Sequence, residues 1–308
     1  FLKYVMSNEK YFEYTSLIAR GATMQRISRS LLGDINIPVS FDFDEQTNIA
    51  TYLDRKTAEI DRIIANKQKL IALYEEEKQA IINQTVTKGV KTHGVRLKDS
   101  GVEWLGEIPE HWEVKKLKLI SHKIGDGIHT TPNYLSGTEM YFINGVNLNN
   151  GSITITDNTM SIPVEEYEKY KIELSKGTLL ISLNGTIGKL AIYNEEKVVF
   201  GKSAAFIELK DTIFNLYVFY LFKTQYIDNY FEDSFSGTTI KNLSLYTLRN
   251  TPIPILSFKE QQSIVAHIEI ECARLDAIIE KFNKQIELLQ EYRTTLISEV
   301  VTGKVKVC

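Results

Sequence analysis

Glu45-Gln46-Thr47-Asn48-Ile49 and Glu260-Gln261-Gln262-Ser263-Ile264 are two versions of one pentapeptide, 215 residues apart. Holding that offset, residues 45–64 and 260–279 agree at seven of twenty positions: Glu45, Gln46, Ile49, Ala58, Asp61, Ile63 and Ile64. The match continues through Lys69/Lys284, Ile71/Ile286, Leu73/Leu288 and Glu76/Glu291 to Val86-Thr87/Val301-Thr302. Upstream the offset moves by one, so that Gly21-Ala22-Thr23-Met24 faces Gly237-Thr238-Thr239-Ile240 and Ile37-Pro38-Val39 faces Ile253-Pro254-Ile255. A repeat on this scale means that one folding unit occurs twice. Phe1 then corresponds to about Tyr217, and the first copy is expected to lack a front of roughly 120 residues, matching the stretch from Val95 to Tyr217.

Residues 45–86 contain neither Gly nor Pro, and Ile49, Leu53, Ile60, Ile63, Ile64, Leu70, Ile71 and Tyr74 recur at helical spacing. Asp42 or Asp44 is a suitable N-cap, and Gly89 a suitable stop. The second copy repeats the stripe with Ile264, Ile268, Leu275, Ile278, Ile279, Phe282, Ile286 and Leu289, ending at Gly303. Each helix is about forty residues, or roughly 60 Å. A lone helix of that length needs its stripe covered. Two readings follow: a core helix in each of two globular domains, or an antiparallel coiled-coil pair that holds two domains apart. In the second, Ile60, Ile64, Ile71, Leu275, Phe282 and Leu289 form the seam. Lys67, Lys78 and Arg293 interrupt the heptads.

Residues 91–256 carry a different pattern. Val114–Leu119, Ile153–Ile155, Thr178–Leu183, Leu190–Tyr193 and Ala205–Leu209 have the composition of short strands, and Phe214–Thr224 and Ile227–Phe231 that of helices. The fold class expected is therefore mixed α/β, an α+β domain with two long helices. Three loops stand out: Gly125–Pro132, Asn184–Lys189 and Ser236–Asn242. Glycine beside small hydroxyl residues and lysine suits phosphate contact, because backbone N–H groups can approach closely; Asn184-Gly185 is equally a plain hairpin turn.

Composition narrows the class. The net charge of −3 gives no overall basic signal, so any nucleic-acid role must rest on local clusters. The most apolar stretch, Leu216–Phe222, is far too short to cross a bilayer. Cys272 and Cys308 are too few and too far apart for a disulfide framework. A cytoplasmic location is the expectation, with no membrane partner.

The run Asp99-Ser100-Gly101-Val102-Glu103-Trp104-Leu105-Gly106-Glu107-Ile108-Pro109-Glu110-His111-Trp112-Glu113-Val114 resembles the opening of a target-recognition domain in specificity subunits of type I restriction–modification systems. The Asp126–Pro132 and Asn184–Gly188 loops, the Gly237–Ser244 segment, Ile253-Pro254-Ile255 before Glu260–Ile264, and Val301-Thr302-Gly303-Lys304-Val305 extend the resemblance over the whole chain. It implies a remnant of a first recognition domain at 1–40, a first spacer helix at 41–90, a second recognition domain at 91–256, a second spacer helix at 257–303 and a tail at 304–308. It also implies the partners: double-stranded DNA, modification (methyltransferase) subunits and a restriction (motor–nuclease) subunit, with a second copy of the chain where a symmetric site is read. S-adenosylmethionine, ATP and Mg²⁺ are expected only in those partners.

Catalysis by the chain itself finds no support in its motifs. No two prolines are adjacent, so the Asp/Asn-Pro-Pro-aromatic loop that grips a flipped adenine is missing. There is no P-loop. Pro109-Glu110 with Glu113-Val114-Lys115 matches a metal-dependent nuclease only superficially, the groups being too close in sequence. His93, His111, His122, His129 and His267 show no metal-ligand spacing. The expected role is sequence-specific DNA recognition without catalysis; a coiled-coil scaffold without DNA binding is the alternative. Lys189, Lys202, Lys241 and Asn242 are the candidate backbone contacts, and His129, Thr130, Thr131, Asn184, Thr186 and Thr238 complete the DNA-facing set. Base readers are also sought in the less motif-like stretch from Asn133 to Gly151.

Overall fold

The computed structural model describes residues 1–19, 26–40, 42–90, 94–235 and 241–307. In chain order the helices are α1 (Leu2–Met6), α2 (Glu9–Ile18), α3 (Arg29–Gly33), α4 (Phe43–Lys88), α5 (Val164–Tyr170), α6 (Asn215–Leu221), α7 (Gln225–Asp233), α8 (Leu245–Asn250) and α9 (Phe258–Val301). The strands are β1 (Leu97–Asp99), β2 (Glu107–Pro109), β3 (Glu113–Lys116), β4 (Ser121–Asp126), β5 (Tyr141–Ile143), β6 (Leu148–Asn149), β7 (Ser152–Ile153), β8 (Leu179–Ser182), β9 (Leu190–Ile192), β10 (Val198–Phe200), β11 (Ala204–Leu209) and β12 (Pro252–Ile255). The fold is mixed α/β with two long helices, as the patterning predicts. Two compact units divide it, Phe1–Glu76 with Arg274–Cys308 and Glu77–Ala273.

In the first unit, Asp42 stands at the N-cap of α4: its carboxylate accepts from Asp44 N at 2.9 Å and its carbonyl from Gln46 N at 3.1 Å. Gln46 Nε2 donates back to the Ser40 carbonyl at 2.6 Å. The two long helices run antiparallel here, since Asp61 meets Arg293, Lys67 meets Gln285 and Tyr74 meets Phe282. Leu53, Ile60, Leu296, Ile297 and Val300 are buried together with Tyr4 and Val5 of α1, and Ile64 and Leu289 pack on them half-buried. Leu275 is fully buried, while Ile71 and Phe282 are half-buried. Two of the heptad interruptions acquire cross-helix partners. Lys67 Nζ lies 5.0 Å from the Phe282 ring centroid and donates to Gln285 Oε1 at 2.6 Å; Arg293 Nε lies 3.1 Å from Asp61 Oδ1. Burial, together with the Asp54 carboxylate that accepts its proton at 2.6 Å, holds the Tyr4 phenol above its ordinary range.

The second unit is built on a four-stranded antiparallel sheet in the order β4-β11-β8-β9. Strand alternation divides its side chains between two cores. Leu179, Ile181, Ala205 and Ile207 face a large cluster containing Tyr217 and Leu221 of α6, Ile82 and Val86 of α4, and Ile264 and Ile268 of α9. Leu180, Ala191, Ala204 and Phe206 face a smaller one, closed by Ile143, Leu148 and Phe200. The parallel pair β5–β10 supplies part of that second cover.

The Trp-containing run works as a structural tie. β1 and β2 form a hairpin, and Trp112 beyond it is fully buried. Its indole Nε1 donates to Glu260 Oε1 at 3.1 Å, and His111 Nε2 stands 3.2 Å from Glu260 Oε2. Gly89, at φ +80°, ends α4 directly against the indole; a Cβ there would lie 3.6 Å from Trp112 Cζ2. Gln261 is fully buried, accepting from Phe214 N at 2.7 Å and donating to the Leu256 carbonyl at 3.0 Å. The recurring Glu-Gln pair thus fastens a helix start to the chain before it, as Gln46 does with Ser40.

Two strands end earlier than their patterns predict. The run Val114–Leu119 is strand only to Lys116, because the β12 partner gives out at Pro252; Leu117 N turns to the Thr251 carbonyl at 2.9 Å and residues 117–119 form a 3-10 turn. In Ile153–Ile155 pairing stops at Ile153, where Asn147 Nδ2 takes the Thr154 carbonyl at 3.1 Å. Conversely, Gly125 and Asp126, expected in a loop, continue β4 opposite Phe206 and Ala205.

Candidate nucleic-acid interface

The register of the central sheet decides which loops are neighbours. Asp126 is opposite Ala205, Ala204 opposite Ser182, and Ile181 opposite Leu190. The segments 127–132, 201–203 and 183–189 therefore leave the sheet at the same end. His129, Thr130, Thr131, Lys202, Asn184, Thr186 and Lys189 all lie there. Asn242 joins them through a bridge to Asn184, with Leu243 N donating to the Leu183 carbonyl at 2.7 Å, and it brings Lys241. Thr238 lies outside the described residues.

Close backbone packing shapes this end. Ile128 N donates to the Phe200 carbonyl at 2.8 Å and Lys202 N to the Ile128 carbonyl at 3.0 Å, so the 127–132 and 201–203 segments are laced together. A Cβ at Gly127 would lie 1.9 Å from the Phe200 carbonyl oxygen, a position only glycine can hold. In the other loop the Ser182 hydroxyl donates to the Thr186 carbonyl and accepts from Lys189 N at 2.9 Å. Gly185 and Gly188 take φ of +71° and +82°.

The polar heads are differently engaged. Lys202 is exposed and has no carboxylate partner among the described residues. Lys189 Nζ donates to Asn149 Oδ1 at 3.1 Å, and Lys241 Nζ lies 3.3 Å from Glu232 Oε1. His129 Nε2 is 2.9 Å from Asp126 Oδ2 and largely exposed. Glu232 is thus held beside a lysine and Asp126 beside an imidazole, while Glu166 accepts from the Asn133 N–H at 3.1 Å. Thr130 neighbours Tyr170, whose phenol the Lys169 ammonium, and secondarily Thr130, hold below its ordinary range.

Several residues at this end escape the sequence motifs. Ser203 Oγ donates to Asn144 Oδ1 at 2.8 Å and accepts from Gly145 N at 2.9 Å. This seats the 3-10 turn Gly145–Asn147 on the sheet end, where a Cβ at Gly145 would be 2.7 Å from Ser182 Cβ. Tyr170 and Lys169 arrive on α5. No motif marks them, because loops from distant parts of the chain bring them in. Among the described residues no cluster of His, Cys, Asp and Glu could hold a metal ion, and no helix is long and apolar enough to cross a membrane.

The chain thus combines mixed α/β structure, two long helices and glycine-shaped loops that carry lysine and hydroxyl groups at one end of the sheet. The family description "Type I restriction modification DNA specificity domain" matches residues 109–288, and the chain belongs to that family. It is 25% identical over 298 residues to the type I restriction enzyme MjaVIII specificity subunit of Methanocaldococcus jannaschii, covering 94% of this chain and 66% of that one. The chain spans about two thirds of the length of two such curated relatives, each matched over nearly all of this chain. The crystal structure of the HsdS subunit from Thermoanaerobacter tengcongensis superposes with a TM-score of 0.60 at 14% identity, over 99% of this chain and 70% of that one. A chain from a structural study of type I restriction–modification complex assembly gives 0.56 at 18% identity, over 81% and 59%. These two likenesses establish a shared fold.

Proposed function

We propose that this chain is the DNA-reading subunit of a type I restriction–modification assembly and performs no chemistry itself. The observation that carries the proposal is the gathering of the 127–132, 183–189, 201–203 and 241–242 segments at one end of the sheet, in a chain of the DNA specificity family. Exposed N–H, hydroxyl and ammonium groups clamp phosphates and fix the register, and neighbouring side chains reach base edges in the major groove. Adenine N6 methylation, and cleavage where a motor–nuclease subunit is present, belong to the partners, which hold S-adenosylmethionine, ATP and Mg²⁺. A second copy of the chain supplies the other half-site when the site is symmetric. In the unit formed by Phe1–Glu76 and Arg274–Cys308, Ile63, Leu70 and Leu73 of α4 and Leu288 and Tyr292 of α9 are exposed. Apolar side chains left on paired helices suit docking of the modification subunits.

Salt separates this reading from a scaffold without DNA contact. Retention of a random-sequence duplex by the chain, purified with its modification subunit, is expected to fall steeply between 50 and 200 mM salt, by about 10³-fold if some six phosphates are engaged. The modification subunit alone is expected to retain much less. Equal retention with and without the chain would favour the scaffold.

A further inference from the structure

Beside the loops lies an open groove of about 300 Å³ whose lining carries no charged side chain. Tyr134, Phe142, Val146 and Met160 give it an apolar wall, and asparagines and threonines supply the rest. Val146 is 68% exposed, and Met160 and Tyr134 are also open to solvent, so this is apolar surface left uncovered within a polar end of the molecule. It is continuous with the interface. Asn149, which lines the groove, takes the Lys189 ammonium, and Asn144, which also lines it, takes the Ser203 hydroxyl.

Hydrogen bonds hold the turn that carries Val146. Asn147 N donates to the Asn144 carbonyl at 2.9 Å, Asn147 Oδ1 accepts from Asn144 N at 2.9 Å, and Gly145 is pinned by Ser203. Asn147 and Asn149 spend their amides on the chain itself. Asn158 makes no side-chain hydrogen bond among the described residues. One free amide and an apolar methyl pair on a hydrogen-bonded turn therefore share one concavity.

Base pairs differ in what they ask of such a surface. In the major groove guanine is read by Arg or Lys and cytosine by Asp or Glu, whereas adenine takes an amide on N6 and N7 and thymine offers its C5 methyl to an apolar contact. The threonine hydroxyls of the lining suit any base, but its amides and apolar groups, without a charge beside them, match the last combination. We infer that this groove reads an A·T base pair, with the thymine methyl against Val146 and the adenine edge on Asn158. The inference rests on the DNA-reading role above and names residues that set specificity, distinct from the lysines that grip the backbone.

The test uses the full chain with its modification subunit and a duplex carrying its mapped half-site. Each thymine is replaced in turn by uracil, which removes the methyl and nothing else, and competition binding is measured. Wild type is expected to lose about four-fold at one position, the worth of one buried methyl group. Val146→Ala, an exposed site that leaves the fold intact, is expected to bind thymine and uracil duplexes equally there, a non-additive result in the protein–DNA double cycle. Asn158→Ala is expected to lower discrimination against G·C at that same pair about ten-fold. Specific binding by wild type with no uracil-sensitive position, or with a sensitivity that Val146→Ala leaves unchanged, overturns the inference and leaves the DNA-reading role standing. Absence of any sequence-specific binding overturns both.

Discussion

Replacing Lys189, Lys202 and Lys241 together by alanine is expected to lower affinity for any duplex by two to three orders of magnitude at 0.1 M salt, and to lower the slope of log K against log salt by about two to three. Each phosphate contact releases counterions worth a slope of about 0.9, so three lysines account for about 2.7, or roughly 500-fold per decade of salt. The loss should be nearly uniform across sequences, because phosphate contacts position the protein without reading it. Lys202 should account for the largest single share, since Lys241 must first leave Glu232 and Lys189 is held by Asn149. The three side chains lie outside both cores of their unit, so the variant should unfold as wild type does. Filter retention across a salt series checks the prediction; an unchanged slope would place the DNA elsewhere on the chain.

The second large effect concerns Trp112. Trp112→Ala is expected to destabilise the protein by about 3–5 kcal/mol, measured by urea denaturation, through loss of a fully buried ring and the cavity left behind. It also removes the indole donor to Glu260 and the surface against which Gly89 ends α4. Trp112→Phe separates the two contributions: it keeps most of the packing and leaves the carboxylate short of one donor, an expected cost of about 1–3 kcal/mol. Equal losses in the two variants would show that the Glu260 contact, not packing, is what matters; a loss confined to alanine would show the reverse. A loss under about 1 kcal/mol for alanine would contradict the assignment of this residue as the tie between the Trp run and the two helices.

The two long helices were legible because their stripes recur without glycine or proline, and one copy predicts the other. Strands β8 and β11 were legible because central strands buried on both faces appear as continuous apolar runs, and the edge strand β9 because Leu190 and Ala191 are buried as well. Strand β4 was not: Ser121-His122-Lys123-Ile124-Gly125-Asp126 has the composition of a loop, and only pairing with β11 makes it a strand. Helix α5 begins after Pro163 with Val164-Glu165-Glu166 and runs for seven residues, about two turns, too short to establish a period. At the candidate interface, the glycine- and lysine-bearing loops could be read from composition, but their convergence could not. It depends on strand order and register, which place Ser182 beside Ala204 across more than twenty intervening residues. The specificity groove lies deeper still. Asn144, Val146 and Asn158 belong to no motif, and they share one concavity only because Ser203 and Asn147 fold the segment back on the sheet end.

The measurement that bears most directly on the central claim is co-expression of this chain with the modification subunit of its own system, followed by genome-wide mapping of N6-methyladenine. The account predicts one methylated motif that vanishes when the chain is omitted and weakens with the Lys189, Lys202 and Lys241 alanine variant. A symmetric motif would add that two copies pair on the DNA. Methylation that is independent of the chain, or a chain that forms a complex yet directs no motif, would contradict it.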